Sequence, residues 1–160
     1  LLIEVADRLP DNIMFRFVGD GDYRSTIEAS LHERIESGQV KLTGWVDHDQ
    51  VPMELTRMRL LLLTSEPTEG LPTAILESFA CATPVYATSV SGIPDVVKEN
   101  ETGFLMTSED PTVIATTISS AMESETLTEM SHRCRAKAES DFSYDAAVER
   151  YHAIFESIHE

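Results

Sequence analysis

Short apolar runs alternate with stretches of helical spacing along most of the chain. Apolar residues at 1, 2, 5, 6 and 9 predict a helix over 1–9, and the run IMFRFV predicts a strand over 13–18 that ends at Gly19-Asp20-Gly21. Further strands are predicted at 40–46, 60–64, 84–88 and 102–106, and further helices at 22–37, 49–57, 72–81, 93–99, 110–122 and 126–139. Because strands that alternate with helices are typical of a parallel sheet covered on both faces, the pattern predicts an α/β fold with a doubly wound, Rossmann-like sheet.

The final segment, SYDAAVERYHAIFESI, has the pattern of an amphipathic helix. One stripe carries Tyr144, Val148, Tyr151, Phe155 and Ile158, and Ser143 is a natural N-cap. We therefore expect this helix to pack its stripe on the rest of the protein. No internal repeat or linker interrupts the chain, so we expect one domain over residues 1–160.

Composition narrows the class of protein. The 160 residues are 42% hydrophobic, which is enough for an ordinary folded core, and no run approaches the roughly 20 apolar residues of a membrane helix. Twelve basic against 28 acidic residues give a net charge of −16, which disfavours nucleic acid as a partner. Cys81 and Cys134 lie far apart without a metal-binding or disulfide pattern, so we expect a cytoplasmic protein without a metal site.

The candidate chemistry lies after the apolar strand LLLLTS. There the chain turns through residues 66–70, and Pro72 suits the first position of a helix whose N-terminus faces the carboxyl edge of the sheet. Free amides at such an N-terminus form an anion site that suits phosphate. Glu69 and Glu77 flank this site, and a carboxylate can accept hydrogen bonds from two neighbouring hydroxyls of a sugar. Either glutamate alone would be unremarkable on a helix, but together they predict a site for a nucleotide that carries a sugar.

The stretch EGLPTAILESFACATPVYATSVSGIPDVVKENETGFLM resembles the donor-binding signature of the GT-B retaining glycosyltransferases, group 1 or family 4. Two glutamates separated by seven residues are the hallmark of that signature, and here they are Glu69 and Glu77. The resemblance extends upstream through FVGDG (17–21) and VKLTGWV (40–46) and downstream to SYDAAVERY, so it covers essentially the whole chain. Members have two Rossmann-like domains, and this chain resembles the C-terminal, donor-binding half. Ala82 stands where the family commonly has Gly.

The resemblance assigns a role to each candidate residue. Glu69 is implied as the catalytic-site residue, which contacts hydroxyls of the donor sugar, and Glu77 as the ligand of the ribose. The implied donor-binding positions are Gly19 and Gly21 beside the diphosphate, Val46 near the base, Gly70 where the ligand approaches the backbone, and the amides of Leu71, Thr73 and Ala74 at the sugar and diphosphate. The family is usually metal-independent, so no cofactor is expected, and the nucleotide sugar is a substrate.

The resemblance also implies that a strand is missing. In the family an Arg and a Lys that neutralise the diphosphate occur on the first strand of this domain and just after it, upstream of the helix that LLIEVADRLP resembles. That strand would lie between the predicted strands 13–18 and 60–64. We therefore expect a fragment of a two-domain enzyme, with a gap in the sheet, a direct pairing of those two strands, or strand exchange or a dimer that supplies the strand.

The implied function is a retaining hexosyltransferase reaction that moves a sugar from a nucleotide sugar to a glycan, lipid or small-molecule acceptor. The acceptor would be held by the missing N-terminal half, which could also place the enzyme at the inner face of the membrane, and the isolated chain should be inactive. A nucleotide-sugar epimerase of the same fold and a non-catalytic nucleotide- or glycan-binding module are the alternatives.

Other residue types carry weaker signals. Ser65, Ser89 and Ser91 lack the context of a hydrolase nucleophile, and Trp45 and Cys81 are expected to be packing residues. The histidines have no metal-binding spacing and are expected at the surface: His32, His48, His132, His152 and His159.

Overall fold

The computed structural model describes residues 1–158, so His159 lies outside the described residues. In this part of the chain the strands are β1 (Phe15–Phe17), β2 (Val40–Leu42), β3 (Leu61–Leu63), β4 (Val85–Thr88) and β5 (Gly103–Met106). The helices are α1 (Leu2–Arg8), α2 (Arg24–Ser30), α3 (His32–Glu36), α4 (Val51–Thr56), α5 (Thr73–Ala80), α6 (Ile93–Val96), α7 (Pro111–Glu123), α8 (Thr126–Asp141) and α9 (Tyr144–Ile158), with a 3-10 turn at His48–Gln50 before α4. Strands and helices alternate as the sequence predicts, and the α/β class is confirmed.

The strands form two sheets within residues 1–158. β1 pairs with β2 in parallel, with Phe15 opposite Val40, and the order of the other sheet is β3-β4-β5. β3 and β4 are also parallel, with Leu61 opposite Val85. Because β1 and β3 belong to different sheets, the direct pairing of these two strands is not the arrangement found.

Two compact units divide the chain. The first comprises Leu1–Glu54 and Met106–Thr126, and the second comprises Leu55–Leu105 and the residues from Leu127 onward. In the first unit, Ala6, Leu31 and Val40 are buried, and the rings of Phe15 and Phe17 pack against them. The core of the second unit consists of buried side chains from α5, β4, α6 and α8: Ile75, Phe79, Val85, Ala87, Ile93, Val96, Val97, Cys134 and Ala138. That the chain is a single domain stays a prediction.

A charged pair lies inside the first unit. The Nη1 of Arg16 on β1 donates to Oε2 of Glu54 on α4 at 2.9 Å, and only 9% of the Glu54 side chain is exposed. A carboxylate so far removed from water depends on a close cation for compensation. The pair therefore links β1 to α4 in one specific arrangement.

Local capping explains where two helices begin and end. The Asp110 carboxylate accepts a hydrogen bond from the Thr112 amide at 2.8 Å, and Pro111 occupies the first helical position of α7. At the end of α5, the Thr83 amide donates to the Ser78 carbonyl and the Ala82 amide to the Phe79 carbonyl, which is a Schellman motif. Ala82 occupies its left-handed position with φ of 57°, where glycine is usual.

The predicted continuous helix over 22–37 is wrong, because the chain breaks at Leu31 into α2 and α3. Leu31 has φ of −116° and ψ of 22° and is only 2% exposed. Ile27 and Ile35, on either side of the break, are partly buried and pack against the same core as the buried Leu31. Burial of Leu31, supported by these two side chains, thus outweighs continuation of one helix.

The last helix forms as predicted but does not pack as predicted. The Ala146 amide donates to the Ser143 hydroxyl at 3.2 Å, which confirms the N-cap. No residue of α9 is buried, and five of its apolar side chains are more than half exposed: Tyr144, Tyr151, Ile154, Phe155 and Ile158. An amphipathic pattern predicts which face needs a partner, but it does not predict that the partner lies within the same chain.

Candidate functional site

The loop after β3 carries the first predicted glutamate. Residues 66–70 are exposed, and the Glu69 amide closes a turn by donating to the Glu66 carbonyl at 3.1 Å. Nothing lies within 4 Å of the position that a Cβ on Gly70 would occupy. The backbone at Gly70 is therefore open to a ligand, and the Glu69 side chain stands beside that opening.

The N-terminus of α5 follows this loop directly. Pro72 is the N-cap and not the first helical residue as predicted, with ψ of 126°, because its extended backbone belongs to the incoming loop. Pro72 makes no side-chain cap, and the first turn of α5 contains no acidic residue. The amides of Thr73 and Ala74 thus carry the positive end of the helix dipole without a local anion to offset it.

Glu77 lies one turn further along α5 and is half-buried. Thr73 and Glu77 are four residues apart, so they lie on the same face of α5. Loop and helix together therefore place two carboxylates and a set of free amides in one continuous segment of the second unit. Such a segment can accept hydrogen bonds from hydroxyls and donate to an anion.

The loop after β4 is tied to the loop after β3. The Ser65 amide donates to the Thr88 hydroxyl at 2.9 Å, and that hydroxyl donates to the Ser65 carbonyl at 3.0 Å. Further out, the Ser91 hydroxyl donates to the Pro67 carbonyl at 2.8 Å, and the Gly92 amide to the Gly70 carbonyl at 3.3 Å. These contacts hold the two loops together on either side of Glu69.

The Ser65 hydroxyl lies at the base of the loop that carries Glu69. Its hydroxyl oxygen is buried and has no hydrogen-bond partner, although its backbone is fully engaged with Thr88. A buried hydroxyl without a partner costs free energy. The base of the Glu69 loop therefore keeps one polar atom unsatisfied.

The remaining predicted positions lie on the first unit, where two glycine loops meet. The Gly19 amide donates to the Gly44 carbonyl at 3.1 Å, and both residues have positive φ, 120° and 70°. A Cβ on Gly44 would lie 3.2 Å from Nη1 of Arg24, so this loop needs glycine for space as well as for conformation. Gly21 donates its amide to the Asp20 carboxylate at 2.9 Å, and Val46 is half-buried after the second loop.

The expectation that Trp45 is a packing residue is wrong. Its side chain is 79% exposed, and its indole N–H donates to the Asp47 carboxylate at 3.3 Å. The indole therefore lies at the surface of the first unit and not in its core.

A cavity of about 280 Å³ lies elsewhere in the second unit. Its lining residues precede β3, precede β4 or lie near the start of α8. They are Thr56, Met58, Arg59, Cys81, Ala82, Thr83, Leu127, Thr128 and Ser131. This is the amino edge of the strands, whereas the predicted residues Glu69 and Gly70 follow the carboxyl end of β3. Ligands of open α/β sheets bind beyond the carboxyl ends of the strands, so the loop with Glu69, and not this cavity, is the candidate site.

The thiol of Cys81 is not set up as a nucleophile. Burial raises the pKa of the Cys81 thiol, the Arg135 guanidinium lowers it, and the Glu77 carboxylate raises it further. A raised pKa leaves little of the reactive thiolate at neutral pH. Cys81 is only partly buried at the end of α5, so the expectation of a core residue is only partly correct.

Residues 1–158 contain no cluster of three His, Cys, Asp or Glu side chains that could hold a metal ion. None of the helices in the same part of the chain is long and apolar enough to cross a membrane. His32 lies at the surface beside the Glu36 carboxylate at 3.5 Å. That the site works without metal or cofactor stays a prediction.

Residues 1–141 match the family model described as glycosyl transferases group 1. The chain belongs to this family. Two curated relatives are the N-acetyl-alpha-D-glucosaminyl L-malate synthase of Bacillus anthracis, 31% identical over 86% of the chain, and the phosphatidylinositol N-acetylglucosaminyltransferase gpi3 subunit of Schizosaccharomyces pombe, 28% identical over 99%. The chain spans 36% and 35% of the lengths of these two proteins.

Solved structures show the same fold. HepE of Anabaena in complex with UDP superposes with a TM-score of 0.84 and 22% identity, over 98% of this chain and 44% of HepE. HepE in complex with UDP-glucose gives a TM-score of 0.77, and the sucrose-phosphate synthase of Thermosynechococcus elongatus gives 0.74 at 20% identity, over 98% of this chain and 42% of that one. The likeness confirms the Rossmann-like GT-B fold class for this group 1 glycosyltransferase chain.

Sequence reasoning missed the residues that tie the loops together. Thr88 ends the buried strand β4 and Ser91 follows it at the ligand edge, and hydroxyl residues at such a position are a detectable signal. Ser91 lacks the context of a nucleophile, and in the structure of this group 1 glycosyltransferase chain its hydroxyl donates to the neighbouring loop.

Proposed function

We propose that this chain binds the nucleotide-sugar donor of a retaining glycosyltransferase of the hexosyltransferase type. The observation that carries the proposal is the N-terminus of α5, which lacks a side-chain cap and first-turn acid and directly follows the exposed Glu69 loop. A diphosphate supplies the anion that this N-terminus lacks, and sugars at its two ends supply the hydroxyls that two carboxylates accept.

In this proposal each element of the segment meets one part of the donor. The amides of Leu71, Thr73 and Ala74 donate to the diphosphate and the sugar, and Glu77 accepts from the ribose hydroxyls. The half-buried position of Glu77 strengthens such hydrogen bonds, because less water competes for the carboxylate. Glu69 accepts from the donor sugar and orients it. We assign Glu69 no nucleophilic step.

The leaving diphosphate develops charge during transfer, and the dipole of α5 stabilises that charge without a metal ion. The solved structure of HepE in complex with UDP supports a nucleoside diphosphate as the ligand class. The acceptor would be a glycan, a lipid or a small molecule held by residues outside this chain, so the isolated chain should bind donor without transferring sugar. The roles of Gly19, Gly21 and Val46 stay predictions of the resemblance.

The test is ligand-observed saturation-transfer NMR on this chain with UDP-glucose, GDP-glucose and ADP-glucose, repeated on Glu77→Gln. We expect one nucleotide sugar to give contacts, and the substitution to weaken its binding at least about tenfold, since a hydrogen bond to a charged group is lost. Glu149→Gln is the matched control, because it removes the same charge from an exposed position on α9.

The absence of saturation transfer to all three nucleotide sugars would contradict the proposal. Equal weakening by Glu77→Gln and Glu149→Gln would show that net charge, and not a carboxylate at the site, governs binding. Turnover of the free nucleotide sugar without an acceptor would instead favour an epimerase.

A further inference from the structure

The loop that carries Glu69 is exposed, yet it is held at both ends. The Ser91 hydroxyl holds the Pro67 carbonyl at 2.8 Å, two residues before Glu69, and the Gly92 amide holds the Gly70 carbonyl at 3.3 Å, one residue after it. An exposed loop without such contacts must lose conformational entropy whenever it engages a ligand. The two hydrogen bonds already restrict the loop in the free protein, so less conformational entropy is lost when a ligand binds.

Ser91 adopts a backbone conformation that serine rarely takes. Its φ is 50°, in the left-handed region where a Cβ is unfavourable and glycine is preferred. Glycine would relieve the backbone strain but would have no hydroxyl to donate to Pro67. A serine in a strained conformation that also makes a specific hydrogen bond points to a role for that bond at this position.

The base of the same loop pair is anchored independently. The Thr88 hydroxyl bonds to both the amide and the carbonyl of Ser65, so β3 and β4 stay in register where the two loops begin. The Ser91 contact therefore adds nothing to strand pairing. It acts on the outer part of the loop, residues 67–70, and it includes no residue of α5.

We propose that Ser91 is a positioning residue that fixes the Glu69 loop for recognition of the sugar part of the donor. The inference rests on the proposed function and deepens it, because it assigns the affinity for the nucleoside diphosphate and the affinity for the sugar to different residues. Glu77 and the amides of α5 set the affinity for the nucleoside diphosphate, whereas the Ser91 contact sets the additional affinity that the sugar contributes through Glu69.

The experiment compares wild type with Ser91→Gly, which tolerates the left-handed backbone and should fold, and with Ser89→Gly as the matched control in the same exposed loop. Amide hydrogen exchange is measured without ligand at Glu69, whose amide donates to the Glu66 carbonyl within the loop. We expect roughly two- to tenfold faster exchange in Ser91→Gly, the effect of losing one hydrogen bond, and no change in Ser89→Gly.

The second measurement uses UDP and UDP-glucose as probes. We expect Ser91→Gly to keep the wild-type affinity for UDP while its preference for UDP-glucose over UDP falls by roughly two- to tenfold. A purely structural role would change both affinities together or neither. An unchanged preference, or unchanged loop exchange, would overturn the positioning role while leaving donor binding intact. Failure of wild type to bind either probe would overturn both proposals.

Discussion

The start of β5 offers the sharpest test of the packing in the second unit. Gly103 is buried, and a Cβ built on it would lie 1.9 Å from the carbonyl oxygen of Val85 and 3.0 Å from the Val85 amide nitrogen. Contacts under 3.0 Å are essentially never made by real Cβ atoms, so Gly103→Ala requires a displacement of at least about 1.1 Å. The obstacle is backbone, which cannot rotate away as a side chain can.

This displacement also removes a hydrogen bond. The Val85 amide donates to the Thr102 carbonyl at 3.3 Å, which is already long, and a further 1 Å of separation breaks it. Overpacking costs about 1–3 kcal/mol and the lost hydrogen bond about 1 kcal/mol, so we expect a loss of about 3 kcal/mol of unfolding free energy. At about 2 kcal/mol per molar of urea, the midpoint of unfolding falls by about 1.5 M.

Urea unfolding followed by circular dichroism measures this shift. Gly21→Ala is the matched control, because nothing lies within 4 Å of the position of its Cβ and its midpoint should stay near wild type. A Gly103→Ala midpoint within about 0.3 M of wild type would refute the reasoning, since it would mean that β4 and β5 are not in close backbone contact.

Three further predictions concern stability. Arg16→Met should cost about 3 kcal/mol in urea unfolding, because it removes the guanidinium from a Glu54 side chain that is only 9% exposed, and Arg16→Met/Glu54→Leu should recover most of that loss; no recovery would contradict the ion-pair account. Ala82→Gly should raise the unfolding free energy by about 0.5–1 kcal/mol, because it relieves a left-handed alanine at the end of α5, and a loss of stability would argue against that strain. Burial raises the pKa of Cys134 from 9.0 to about 12, so the folded protein keeps this proton while the unfolded chain ionises, and stability should fall as pH rises from about 9 toward 12. Cys134→Ala should flatten most of that decline in urea unfolding measured up to about pH 10, and an unchanged slope would exclude this thiol as its cause.

The strands and the glutamate loop could be predicted because their signals are local. Apolar runs that end at glycine or proline define β1 and β3, and the loop residues Glu69 and Gly70 follow from the turn signals after β3. The predicted strands are longer than the observed ones, since the ends of apolar runs continue into loops without a partner strand.

The rest depends on contacts between residues that are distant in sequence. The break at Leu31 places a buried side chain between two short helices, and no glycine or proline marks it in the sequence. The hydrogen bond from Ser91 to Pro67 joins residues 24 positions apart and depends on a backbone angle that serine seldom adopts. The sequence alone gives no signal for the break, and it shows the Ser91 hydroxyl without showing its partner in the loop after β3.

The exposed stripe of α9 affects how the protein behaves in solution. Its tyrosines, Phe155 and Ile158 form an exposed apolar surface that favours association between molecules. The net charge of −16 opposes this association, because two molecules with the same charge repel each other. The repulsion acts over a distance of about 10 Å at 0.1 M salt but only about 3 Å at 1 M, whereas apolar attraction does not weaken with salt. We therefore expect the chain to stay dispersed at low ionic strength and to associate into clusters at high ionic strength, which matters for its purification and for binding assays.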